Sequence, residues 1–208
     1  MKHEWKKEEK ELYLPIKKPH LITVPKFNFV LIEGKGDPNT SQEFSDAIGA
    51  LYSASYTIKM LPKKGIIPQG YEDYVVYPLE GIWDLPENTK EFDKLDKSQF
   101  IYKIMIRQPE FVTEELFNDV VNTLKTKSND EMLNKLKFVS IEDGLCVQML
   151  HIGPFDEESK SFALMDEYTN DNGYKRIGKN HREIYISDFR RAKQENLKTV
   201  LRYWVEKI

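Results

Sequence analysis

One order of elements occurs twice in this chain, and that repetition limits the folds open to it more than any other feature. Phe27-Asn28-Phe29-Val30-Leu31-Ile32-Glu33-Gly34 is rich in aromatic and β-branched residues and reads as a strand, ended by Gly34, Gly36, Asp37 and Pro38. Thr40 with Glu43 three residues on makes a capping box. Phe44, Ala47, Ile48, Leu51, Ala54 and Ile58 then recur at the helical period, until Pro62 and Gly65 close the helix. Residues 74–83 and 100–107 read as two strands, with the charged stretch 87–97 as an exposed loop between them. A helix over 113–126 and a polar segment over 125–135 lead to the second half. There the order returns: a long strand or hairpin over 138–152, broken at Asp143-Gly144, then a helix capped by Asp156, then strands over 183–187 and 197–205. Glu157 and Glu158 suit that helix's first turn, Phe162, Met165 and Tyr168 mark its apolar side, and Asn172-Gly173 stops it.

The halves also echo in sequence. Lys103-Ile104-Met105-Ile106-Arg107-Gln108-Pro109 parallels Lys198-Thr199-Val200-Leu201-Arg202-Tyr203-Trp204, and Gly81-Ile82-Trp83 parallels Glu183-Ile184-Tyr185 in the same order. The expectation is an α+β fold of two pseudo-symmetric strand–helix–strand–strand modules sharing an antiparallel sheet, with helices on one face and a ligand groove on the other. Residues 1–20 read as an irregular charged lead-in and 21–208 as one domain, with modules over 21–110 and 138–208 joined by 111–137.

Composition removes several classes of function. With 31 basic against 34 acidic residues the chain is slightly acidic, and it shows no basic stripe for direct nucleic-acid binding. The first ten residues lack a signal peptide's apolar run, and no stretch approaches a membrane span, so a cytoplasmic protein is expected. The single Cys146 lies in an apolar run and reads as a buried, inert thiol. The histidines at 3, 20, 151 and 181 show no metal-ligand spacing, so neither metal nor cofactor is expected. His151 stands before Gly153-Pro154 and suits a turn-stabilising role, and Gly34-Lys35-Gly36 lacks the pattern of a phosphate loop.

The segment His181-Arg182-Glu183-Ile184-Tyr185-Ile186-Ser187 says most about chemistry. Strand side chains alternate, so Ile184 and Ile186 are expected to face the helices, and His181, Glu183, Tyr185 and Ser187 the other side. An ordinary half-solvated strand would show the same alternation. The repeat places Trp83 at the position of Tyr185, so the two aromatics border Glu183. Rings around a carboxylate suit a flat apolar molecule, charged or neutral. Such a carboxylate can hold a cation or act as a general base. Tyr52 and Tyr56, four apart on the first helix, suit core packing, with Tyr56 kept as a candidate ligand wall.

Three motifs together carry a resemblance: Tyr77-Pro78-Leu79-Glu80-Gly81-Ile82-Trp83, His151-Ile152-Gly153-Pro154-Phe155-Asp156-Glu157-Glu158, and His181 to Asp188 followed by Lys198-Thr199-Val200-Leu201-Arg202. The chain resembles the GyrI-like small-molecule-binding family, in particular its stand-alone bacterial members, over nearly its whole length. That resemblance implies a ligand site in which Glu183 receives hydrophobic aromatic or cationic small molecules, as in multidrug-binding regulators, with Trp83, Tyr185, Tyr56 and Phe155 as binding residues. The hydrolase branch implies an alternative, in which Glu183 and Tyr185 are catalytic and open an activated cyclopropane with water, without a cofactor. A third reading is a macromolecular partner such as a topoisomerase modulator. Asp84 stands where many relatives carry an aromatic, and Phe155 where they carry a tyrosine, which changes the mouth of the site.

Overall fold

A computed structural model describes residues 2–86, 96–188 and 191–208; of the loop expected over 87–97, residues 87–95 lie outside the described set. Among the described residues the elements run α1 (Trp5–Glu8), α2 (Lys10–Tyr13), β1 (His20–Lys35), α3 (Gln42–Lys59), β2 (Leu79–Asp84), β3 (Ile101–Gln108), α4 (Glu114–Lys125), β4 (Lys137–Ile152), α5 (Glu158–Asp171), β5 (Tyr174–Arg176), β6 (His181–Tyr185) and β7 (Lys198–Lys207). The fold is α+β. The chain forms two compact units from interleaved stretches. One comprises Met1–Glu4, Phe27–Leu79 and Leu85–Ile141; the other comprises Trp5–Lys26, Glu80–Asp84 and Glu142–Ile208.

In the first unit, Asn28 to Lys35 of β1 pair antiparallel with Ile101 to Gln108 of β3. Phe29, Val30, Leu31 and Ile32 are all buried, as are Ile104, Met105 and Ile106 opposite. Consecutive apolar residues in a strand mark a strand covered on both faces. The stripe Phe44, Ala47, Ile48, Leu51, Ala54 and Ile58 of α3 is buried as its spacing requires. Its cap is Ser41, whose hydroxyl accepts from the Phe44 amide, one residue after the expected Thr40. Ile58, Leu61, Val112 and Val120 form a core cluster with Phe111, Leu116, Leu124 and Phe138 around it. Gly34 lies opposite Tyr102, and a Cβ there would fall 2.5 Å from the phenol ring, so only glycine fits.

The second unit is built on β7. Cys146 to Ile152 of β4 pair with one edge of it, and β6 and then β5 with the other. Residues 80–83 of β2 pair antiparallel with β6. Val147, Met149, Leu201, Tyr203 and Val205 pack with Met165 of α5, and Phe162 and Tyr168 close that cluster. Three expectations are corrected in this unit. The lead-in is not irregular throughout, because α1 and α2 bury Trp5 and Tyr13, whose rings meet at 5.2 Å. Asp143-Gly144 does not break 138–152 into a hairpin. Gly144 takes a positive φ of 66° within one continuous β4, a local kink of the sort glycine absorbs. Asp156 does not cap α5, because it lies within a 3-10 turn, Phe155–Glu157, that precedes the helix.

Candidate functional site

Alternation along β6 sorts its side chains onto two faces, and register extends each face across the strands. Glu183 is opposite Leu201 and Gly81, and His181 is opposite Trp83. Leu201 packs against Met165 of α5. The Glu183 face is therefore the helix-covered face, the reverse of the expected orientation. The reason lies in β7. Its Leu201, Tyr203 and Val205 form the apolar side that α5 needs, and cross-strand partners share a face, so Glu183 goes with them.

On that face a connected set forms. The Trp83 indole Nε1–H donates to the Tyr185 hydroxyl at 2.8 Å, and the Tyr185 O–H donates to Glu183 Oε2 at 2.8 Å. His181 Nε2 stands 2.9 Å from Glu183 Oε1. Phe155 meets the Tyr185 ring edge-on at 5.9 Å, and Phe162 meets His181 edge-on at 4.8 Å. Burial first, and then the neighbouring Glu183 carboxyl, push the Tyr185 phenol well above its ordinary value. Tyr185 is thus a neutral donor whose proton is committed to Glu183, and it orients that carboxyl as much as it lines the site.

Gly81 makes this geometry possible. A Cβ there would lie 2.7 Å from Trp83 Nε1 and 3.2 Å from the Tyr185 hydroxyl. The missing side chain is what lets the indole N–H reach the phenol across β2 and β6.

Of the expected site residues, Trp83, Glu183, Tyr185 and Phe155 come together in the second unit. Tyr56 belongs to the first unit, stacked on Tyr52 at 6.1 Å and 53% exposed. The sequence reading missed Glu158. It is 7% exposed at the start of α5, and its carboxyl feels the charge of Glu183. Its signal was present, because Glu158, Phe162, Met165 and Thr169 follow one helical stripe, and a glutamate on a core stripe is out of place. Burial first, and then the Glu183 charge, raise the Glu158 carboxyl well above the usual carboxylate range.

The opposite face of the same strands holds a buried ionic network. Arg182 grips Asp143 through two bonds of 2.8 and 2.7 Å and donates to Glu80 at 2.9 Å. Arg202 donates to Gln148 and to the Leu12 carbonyl, and Gln148 donates to the Glu11 carbonyl. This network ties residues of α2 into the second unit.

Other candidates have structural roles. His151 Nε2 lies 3.1 Å from the Pro154 carbonyl and Nδ1 2.9 Å from the Ser161 hydroxyl. A carbonyl only accepts, so Nε2 carries the proton and Nδ1 accepts from Ser161. Cys146 is fully buried, and burial pushes its thiol up to about 12, an inert state. Among the described residues, no group of three His, Cys, Asp or Glu side chains is placed to hold a metal ion, and no helix is long and apolar enough to cross a membrane.

Comparison with known proteins gives the family. A hydrolase encoded by lin2189 from Listeria innocua shares 40% identity at a TM-score of 0.90, over 99% of this chain and 100% of that one. A second hydrolase from Listeria innocua shares 38% identity at a TM-score of 0.88, over 98% and 100% of the two chains. The EcmrR C-terminal domain, at 14% identity and a TM-score of 0.56 over 92% of this chain and 98% of its own, shares the fold. A search of curated proteins found no match. The family model of the GyrI-like small molecule binding domain matches residues 17–206, nearly the whole length, and the chain belongs to that family.

Proposed function

We propose that the chain binds hydrophobic aromatic small molecules, cationic ones among them, against the Trp83–Tyr185–Glu183 cluster, for sensing or sequestration. The observation that carries this reading is the bonded series Trp83 to Tyr185 to Glu183. It fixes two aromatic faces and one carboxylate rigidly together, and recognition of an aromatic cation needs both elements. Titration of purified protein with tetraphenylphosphonium, followed by tryptophan fluorescence, tests it. Saturable quenching that weakens at least about tenfold in Glu183→Gln supports the reading, since about 1.4 kcal/mol is a modest value for a partly buried charge pair. Quenching that is unchanged in Glu183→Gln removes Glu183 from the account.

A second reading is favoured by the two Listeria hydrolases, which align along their entire length. In it Glu183, oriented by Tyr185 and His181, takes a proton from water as the water attacks an electrophilic ring carbon of the ligand. The ring bond breaks toward the ligand's acceptor group, which then takes up a proton. No cofactor enters this step. Mass spectrometry separates the two readings: a product heavier by one water, absent with Glu183→Gln, supports the hydrolase, and ligand recovered intact supports the binder.

A further inference from the structure

Glu158 stands one helical turn before Phe162 and three residues after Phe155, whose rings meet His181 and Tyr185, the two groups hydrogen-bonded to Glu183. The two carboxyls therefore belong to one cluster, and the Glu183 charge acts on Glu158. Both Glu183 oxygens already face other polar groups, Tyr185 O–H at Oε2 and His181 Nε2 at Oε1. On Glu158, by contrast, Oε1 is buried with no hydrogen-bond partner among the described residues. An ionised oxygen in that place would be desolvated and unpaired beside a second carboxylate, whereas a neutral acid loses far less. The proton of the pair therefore sits on Glu158.

The surroundings make this proton exchangeable. The groups facing Glu158 are Glu183 from β6 and Asp156 from the preceding turn, with the Tyr185 hydroxyl held against Glu183 on one side and His181 on the other. Aromatic rings of Trp83, Phe155 and Phe162 border the same groups. A positive charge arriving here favours the ionised form of Glu158 and drives its proton out. The exchange leaves the net charge of the site unchanged, because one positive charge enters as one leaves.

We propose that Glu158 is the proton-holding partner of Glu183, and that a lipophilic monocation bound at this cluster displaces that proton to solvent, one for one. The proposal rests on the small-molecule reading of the same site. A neutral aromatic ligand leaves the proton in place, so the pair sets both the charge preference of the site and its dependence on pH.

The test has one arm without ligand and one with it. Protein labelled with carbon-13 at the glutamate Cδ is titrated by NMR. The Glu158 signal, assigned by its loss in Glu158→Gln, should keep the shift of a protonated acid at neutral pH. An ionised shift there overturns the proposal whatever binds. Calorimetry with tetraphenylphosphonium, in buffers of different protonation heat, should then show about one proton released per cation. Its affinity should rise up to about tenfold per pH unit across the neutral range. Triphenylphosphine oxide, a neutral probe of similar shape, should release none. Glu158→Gln keeps the shape of the side chain but has no proton to exchange, so it should bind the cation with no pH slope, while His181→Gln should keep the slope. Cation binding without proton release, or a slope that survives in Glu158→Gln, overturns the exchange. Failure of both probes to bind overturns the ligand reading and the exchange with it, while a protonated Glu158 in the NMR arm still identifies where the site's proton lies.

Discussion

The two faces of β6 carry charge in opposite ways. On one face Arg182 and Arg202 meet Asp143 and Glu80, two positive against two negative, with bidentate geometry and backbone carbonyls taking further donors. On the other, the Glu183 charge acts on the buried Glu158, and among the described residues the basic side chain hydrogen-bonded to Glu183 is His181. The first arrangement is closed, since each ion is neutralised by a neighbour held in place. The second leaves a deficit of positive charge among aromatic rings. Removing one partner of a matched buried charge is costly, whereas a buried mismatch is kept at a cost in stability and is a candidate functional site.

Four experiments would break or sharpen that contrast. The largest effect should come from Arg182→Met, which strands Asp143 and Glu80 in the interior. Urea unfolding should show a loss of about 3–5 kcal/mol. A loss below about 1 kcal/mol would mean that the network is not a structural closure. Next is Gly81→Ala, where the new methyl must displace the Trp83 indole or the Tyr185 hydroxyl. About 1–3 kcal/mol should be lost, together with a shift in tryptophan emission, and unchanged emission would show that the indole was not held there.

The third is the pH dependence of stability. Glu158 is raised in the folded chain, so the native state holds a proton that the unfolded chain has already released above its ordinary carboxyl range, near 4.5. Stability should be full below that range and fall as pH rises toward the folded value, at up to about 1.4 kcal/mol per pH unit. Glu158→Gln should flatten that slope, and a slope equal to wild type's would assign it elsewhere. The smallest effect belongs to Tyr185→Phe. It removes the donor to Glu183 and the acceptor of the Trp83 N–H, for about 1 kcal/mol of stability. Ligand affinity or turnover should fall by a larger factor than stability does, because Glu183 loses its orientation. If the two fall together, the hydroxyl serves the fold alone.

Strands and helices were legible where a period was clean. The run Phe29 to Ile32 and the α3 stripe could be read because burial on two faces or on one stripe leaves its period in the sequence. The orientation of β6 was not, because alternation says that two faces exist and not which of them the helix covers; β7 decides that, and it pairs with β6 only in three dimensions. Nothing local in the sequence announces that the strand residue Arg182 will find Glu80 and Asp143, two carboxylates from distant segments. Glu158 was read as a residue suited to a helix start, a sound local argument that its place on the Phe162–Met165 stripe overrides. Of the site, Trp83, Glu183 and Tyr185 came from the repeat. The hydrogen bonds joining them, and the role of Gly81 in allowing those bonds, came from the structure.

The interleaving of the two units bears on synthesis. The first unit has all of its segments once residue 141 has been made, whereas the second needs residues 5–26, 80–84 and 142–208 together. On a ribosome the chain emerges from its N-terminus, and a unit cannot close before its last segment appears. Trp5, Tyr13 and Trp83 therefore emerge early and wait, without their final cover, until β4, β6 and β7 arrive. Buried in the finished fold, these three rings are, during translation, apolar groups in need of a holding chaperone.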